Sequence, residues 1–316
     1  MKYRLGIRRG INLGGWLSQC DYSAERINHF IEAEDIARIA SWGLDHIRIP
    51  VDYNVLEDDN GGYDAPGWER LDWVFAECEK HGLKAVIDLH KTEGFSFYSG
   101  EKEIGFFDSE EYQERFYRLW EEMARRYGNM PDRIMFELLN EVTDISYIEA
   151  WNRISSECIR RIRKIAPDTY ILLGSYDNNS APAVEALLPP ADEKVVFNFH
   201  CYDPLHYTHQ RASWVPELID SPFVPFEDSG TTEEYFEDYF SKAIETAEKY
   251  GVELYCGEYG VIDQVPAEDA VKWYKTINAV FEKHGIARAV WSYKHMAFGV
   301  IDKHWDAVRD ELIKVL

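Results

Sequence analysis

The sequence has no cysteine pattern that could staple a small fold. Its five cysteines, Cys20, Cys78, Cys158, Cys201 and Cys256, are odd in number, widely scattered and form no C-x-x-C pair, so they read as reduced thiols. No stretch approaches the roughly eighteen apolar residues of a membrane span. The opening MKYRLGIRRG also lacks an apolar h-region. The expectation is a cytoplasmic chain, or a secreted one if a leader has been trimmed away. Positive charge is scarce. Lys and Arg number 34 against 57 Asp and Glu, a net charge of −23, which repels phosphate backbones and anionic lipid and excludes nucleic acid and membrane surfaces as partners. H-E-x-x-H is absent, as is H-x-H on the first strand, and no Gly-rich phosphate fingerprint follows a strand. No metal and no cofactor are expected. Linkers and low-complexity tracts are missing too, which leaves one domain over residues 1–316, expected as a monomer.

Aromatic residues, by contrast, are abundant: ten Trp and twenty Tyr exceed what packing needs, so some of those rings can face a ligand. Along the chain, short β-branched runs alternate with longer amphipathic stretches, the pattern of parallel strands joined by crossover helices. Eight strands are expected: Ile7 to Leu13, His46 to Val51, Lys84 to His90, Ile134 to Asn140, Tyr170 to Ser175, Val195 to Tyr202, Glu253 to Tyr259 and Arg288 to Tyr293. Most are continuous apolar runs, as burial on both faces of an inner barrel wall requires. Apolar residues at three and four spacing place helices over Glu32 to Trp42, Trp68 to His81, Glu110 to Tyr127 and Tyr147 to Ile165. Three more run from Glu233 to Tyr250, Glu268 to His284 and Trp305 to Val315. Gly43, Gly82, Gly128, Gly251 and Gly285 follow helices where a left-handed residue is expected. The pattern is that of a single (β/α)8 barrel. Asp203 to Gly230, irregular and rich in Pro, His and Trp, reads as an active-site loop.

In such a barrel the C-terminal strand ends converge on one pocket, and ionisable residues recur at those ends. Arg48, His90, Asn140 with Glu141, His200 with Tyr202, Glu258 and Trp291 all fall there. Any one of them is more often a satisfied packing residue. Together they are costly to bury without a task. Glu141 and Glu258 can supply the two carboxyl groups of glycoside cleavage, one protonating the leaving oxygen and the other attacking the anomeric carbon. Arg48 and Tyr202 suit holding Glu258 ionised. His90 and His200 can bond the sugar or Glu141, Asn140 a sugar 2-hydroxyl, and Trp291 offers a flat wall. Trp16 and Trp214, with Tyr98 and Tyr207, are further candidate platforms, at even odds with ordinary packing.

These residues resemble glycoside hydrolase family 5, a retaining family of (β/α)8 enzymes with many endo-β-1,4-glucanases and mannanases. The resemblance spans nearly the whole chain: GINLGGW (Gly10 to Trp16), IRIPV (Ile47 to Val51), VIDLH (Val86 to His90), LLNE (Leu138 to Glu141), NFHCYDP (Asn198 to Pro204), CGEYGV (Cys256 to Val261) and WSY (Trp291 to Tyr293). It implies Glu141 as acid/base, Glu258 as nucleophile, and a β-glucan or cello-oligosaccharide substrate. Two departures stand out: Val142 where the family usually has Pro, and Lys91 where its third-strand His is often doubled. The resemblance is to a bacterial endoglucanase branch, some of whose members carry a helical insertion after the sixth strand, where this chain has a loop. The expected activity is that of a retaining endo-β-1,4-glucanase. The alternatives are a mannanase, glucomannanase or lichenase on the same scaffold, or a carbohydrate-binding barrel without catalysis.

Overall fold

A computed structural model describes residues 5–63, 65–98 and 103–316. Eight strands close into one parallel barrel in sequence order. They are β1 (Arg9–Asn12), β2 (His46–Asp52), β3 (Lys84–Lys91), β4 (Ile134–Glu137), β5 (Ile171–Leu173), β6 (Val195–Cys201), β7 (Leu254–Tyr259) and β8 (Ala287–Val290). β1 pairs with both β2 and β8, which closes the ring. Every expected strand is present. Several are shorter than the apolar runs that announced them, because the last residues of a run turn out of the ladder to form the mouth.

The long helices lie outside the barrel at Ala33–Ser41, Ala65–Lys80, Glu110–Tyr127, Ile148–Arg163, Glu233–Tyr250 and Ala267–His284, with a short one at Arg309–Val315. Glu110–Tyr127 shows why they form. Ser109 caps it by accepting from the Tyr112 N–H, acids fill its first turn and arginines its last, matching the helix dipole. Phe116, Leu119, Trp120, Met123 and Tyr127 then make one buried face. Between β5 and β6, where no helix is expected from the sequence, stand a four-residue turn, Tyr176–Asn179, and a 3-10 stretch, Pro182–Ala186. The helix Glu233–Tyr250 packs against it.

Gly43, Gly82, Gly251 and Gly285 have φ between 65° and 74°, as their place after helices requires. Gly128 does not: its φ is −67°. Glycine is needed there for space, since a Cβ would lie 2.4 Å from that of Ala166.

Side chains alternate across each strand, so the barrel interior is built in layers. The lower layer is mostly apolar, with Val86, Met135, Leu172, Val196 and Tyr255 in one cluster. Two residues further along β3, β4 and β6 stand Asp88, Glu137 and Asn198, all fully buried. Another two along β3 and β6 are His90 and His200. The interior therefore turns from hydrocarbon to charge within one strand length.

Candidate active site

Arg48, from the middle of β2, is buried beneath the mouth and uses its whole guanidinium. Nε and Nη2 donate to the two oxygens of Glu137 at 2.7 Å each. Nη1 donates to Glu258 at 2.7 Å and to Asn12 at 2.9 Å. Nη2 also reaches Asn140 Oδ1 and Asp88 Oδ2, both at 3.0 Å. Asn198 adds a second donor to Glu137 at 2.7 Å. One cation thus faces three buried carboxyl groups. Burial drives the proton affinity of Asp88 well up and that of Glu137 up, with Arg48 opposing in each case. Burial alone would weaken the Arg48 cation, but Asp88, Glu137 and Glu258 override it and keep the guanidinium charged. The paired short bonds from Arg48 to Glu137 favour the charged form of that carboxyl against its burial.

Glu258 stands above Arg48 at the end of β7. Its Oε2 accepts from the Tyr202 hydroxyl at 2.8 Å, so a strong donor meets each oxygen. Its direction comes from a bulge: the β6–β7 register slips between Phe199 and His200, and the β7–β8 register between Cys256 and Tyr259. A bulge of this kind re-aims the side chain that follows it. Gly257 permits it, because a Cβ there would lie 2.9 Å from both Asn198 Oδ1 and His200 Nε2.

Glu141 lies past the end of β4 with a φ of 37°. His200 Nδ1 is 2.8 Å from its Oε1, and the Asn178 amide donates to its Oε2 at 3.3 Å. Burial raises the Glu141 carboxyl above its usual range, opposed by His90, the Asn178 bond and Arg48. Burial also lowers His200 to about 4, so its ring is neutral near pH 7. One ligand atom each of Glu141, His200 and Glu258 lie within 4.8 Å of one another. That trio also has metal-ligand spacing. Glu258, however, is already engaged by a guanidinium and a phenol, and a divalent cation would sit against Arg48.

The remaining expected residues take distinct places. His90 Nδ1 is 2.6 Å from Asp88 Oδ2, and its ring lies parallel to Trp291, centroids 5.9 Å apart. Asn140 spends its oxygen on Arg48, while its Nδ2 has no partner among the described residues. Trp16 is not a platform: it is fully buried, with its indole N–H on the Ile27 carbonyl. Tyr207 is fully buried as well. Trp214 is 45% exposed, at the outer end of a ring cluster through His209 and Phe298 to Tyr202. Tyr98 is half exposed and, with Asp52, Lys91, Phe97 and Met296, lines a cavity of about 300 Å³ beside His90.

Asn12, Asp88, Glu137 and Asn198 were missed by the strand-end reading. Stepping back two residues from a named one, from His90 to Asp88 or from His200 to Asn198, would have found two of the four, since both share a face. Asn178 had no such signal.

Two facing carboxyl groups at the C-terminal mouth of a (β/α)8 barrel, each with its own set of donors, define a site of the glycosidase class. The sequence pattern of the cellulases, glycosyl hydrolase family 5, matches residues 12–297. The chain belongs to that family and is an O-glycosyl hydrolase. It is 62% identical to cellodextrinase A of Ruminococcus flavefaciens over 283 residues, covering 90% of this chain and 84% of the relative. Endoglucanase C of Acetivibrio thermocellus is 34% identical, over 99% of this chain and 98% of that one. Among solved structures, Thermotoga maritima Cel5A in complex with mannotriose superposes with a TM-score of 0.81 at 26% identity, covering 98% of this chain and 97% of that one. No helix among the described residues is long and apolar enough to cross a membrane.

Proposed function

We propose that the chain cleaves β-1,4-linked glucans, short cello-oligosaccharides foremost, with retention of configuration, using Glu258 as nucleophile and Glu141 as acid and then base. The observation that carries this is the close approach of the two carboxyl groups, within 4.8 Å between ligand atoms, combined with their unequal surroundings. Retaining enzymes need about 5 to 5.5 Å between carboxyl groups, whereas an inverting water needs about 6.5 to 9.5 Å.

In the first step a Glu258 oxygen bonds to the anomeric carbon and the glycosidic C–O bond breaks. Its electron pair leaves with the oxygen, which takes the Glu141 proton. In the second step Glu141 takes a proton from water as the water oxygen bonds to the same carbon and Glu258 departs. Arg48 and Tyr202 each donate to one Glu258 oxygen and hold the carboxyl in place for attack, and burial raises the proton affinity of Glu141. The unpartnered Asn140 Nδ2 suits a 2-hydroxyl, whose hydrogen bond tightens as the oxocarbenium character develops. Trp291 and the polar cavity beside His90 supply a wall and hydroxyl partners. The names cellodextrinase and endoglucanase borne by the relatives favour glucan. Cel5A has been solved with mannotriose and with cellobiose, which makes mannan the second substrate to assay.

Glu258→Ala is expected to abolish turnover of cellotetraose, and azide is expected to restore cleavage of an activated aryl cellobioside with inverted configuration in the azide product. Wild-type turnover in that variant, or rescue with retained configuration, overturns the assignment.

A further inference from the structure

The loop after β5 is fastened to the segment that carries Glu141. Asp177, Asn178 and Asn179, three consecutive non-glycine residues, have φ of 54°, 52° and 59°, a conformation that persists only where the surroundings hold it. They are held on three sides. The backbone N–H groups of Asp177 and Asn178 donate to the carbonyls of Thr143 and Val142, at 3.1 and 3.0 Å, just beyond Glu141. The Asn179 side chain fills the space over Gly174, where a Cβ would lie 2.2 Å from its Oδ1. Ser180 bridges to His200 at the end of β6. The result is that the Asn178 amide meets Glu141 Oε2 at 3.3 Å, whereas His200 bonds Oε1.

We propose that Asn178 is a positioning residue of the glycosidase reaction: its amide N–H stabilises the negative charge that appears on Glu141 as the proton passes to the leaving oxygen. The proposal rests on Glu141 being the acid/base. Asn178 itself is exposed, but it meets a largely buried carboxyl; a donor fixed there before charge develops needs no reorganisation during the reaction, and the left-handed loop is what fixes it. A loop free to relax would let the amide turn toward water. Arg48 from β2, Asp88 and His90 from β3, His200 from β6, Tyr202 just after it and Glu258 from β7 also face Glu141, with Asp177 beside Asn178 in the loop itself. Removing the amide takes away one of the groups that oppose burial. The Glu141 carboxyl then holds its proton more tightly and is a weaker acid, and the alkaline limb of the rate profile moves upward.

Asn178→Gly tests this without adding backbone strain, because glycine adopts positive φ freely. The expected result is a fall of about tenfold in kcat on cellotetraose, the scale of one hydrogen bond to a charged group. On a dinitrophenyl cellobioside, which needs little acid assistance, the fall is to be within about threefold. KM is to stay nearly constant and the alkaline limb to rise. Asn178→Asp, which replaces the donor with an acceptor of the same shape, is expected to reproduce the leaving-group dependence. An equal fall on both substrates with an unmoved alkaline limb overturns the proposal and leaves the loop a structural brace. Glu141→Ala, measured in parallel, separates the two assignments. Loss concentrated on cellotetraose upholds Glu141 as the acid whatever Asn178 does. Because the second step also uses Glu141, the readout is kcat/KM, which reports only the first step: equal loss of kcat/KM on both substrates removes the acid/base assignment, and the role of Asn178 with it.

Discussion

Two polar clusters are buried along the barrel axis, one at the base and one at the mouth, and they are built to opposite rules. At the base His46 is clamped between Asp45 Oδ1 at 2.6 Å and the Tyr255 hydroxyl at 3.0 Å, and Asp45 also accepts from the backbone N–H groups of Arg8 and Arg9. Each of those polar groups has a partner, and none of the three residues has a positive φ. At the mouth, Asp88 Oδ1, Asn140 Nδ2 and His200 Nε2 are buried without a partner among the described residues, and Glu141 and Asn178 stand in left-handed backbone. His46 and Tyr255 are as buried as Asp88, Asn140 and His200, and folding by itself rewards only satisfied polar groups. Unsatisfied groups and strain gathered around the carboxyl pair mark the end that a ligand completes.

The sharpest test of this contrast is Arg48→Met. It strips the counter-charge from Glu137, Asp88 and Glu258 together. Breaking a buried ion pair costs roughly 3 to 5 kcal/mol, and the turnover of any folded fraction is expected to fall by about 10³-fold or more. Chemical denaturation and single-turnover kinetics read the two effects. Retained activity with lost stability would make Arg48 a brace like His46.

Tyr255→Phe is the converse, at the base. It leaves His46 Nε2 without its partner, a loss of about 1 to 3 kcal/mol in unfolding free energy. Its kcat is expected to stay within about twofold of wild type. A selective fall in kcat with unchanged stability would erase the distinction between the two clusters.

A further test, read through stability alone, is its pH dependence. Burial lowers both His200 and His209 to about 4 in the folded chain, while an unfolded imidazole titrates near about 6.5. The unfolded state therefore binds protons first as the solution is acidified. The stabilisation is whole above about 6.5 and is lost as pH falls toward 4. Urea midpoints at pH 7, 5.5 and 4.5 should decline accordingly. His209→Leu, in the ring cluster outside the carboxyl pair, should flatten part of that decline, and a slope unchanged by it would assign the effect elsewhere.

Much of the fold was legible because its signals are local. Helices such as Glu110–Tyr127 and Glu233–Tyr250 carry their own caps and periodic faces, and each strand run ends where the barrel needs its mouth. Boundaries were less legible. Ile134 to Asn140 reads as one run, but the ladder stops at Glu137, and the next residues swing out to present Asn140 and Glu141. Trp16 looked like a platform because an indole beside a strand end carries no mark of which way it faces. Its place under Ile27 and against Trp73 is a packing outcome.

The residues at the strand ends were determined by the sequence alone, since apolar alternation and turn residues act over a few positions. Which of them meet was decided by closure of the barrel: Arg48 and Glu258 lie 210 residues apart and touch only because β1 completes the ring with β8. Asn178 is the clearest case. Asp and Asn accept the left-handed conformation singly, but the run of three that brings the amide to Glu141 is held by contacts to Val142, Thr143 and His200, which no local signal announces.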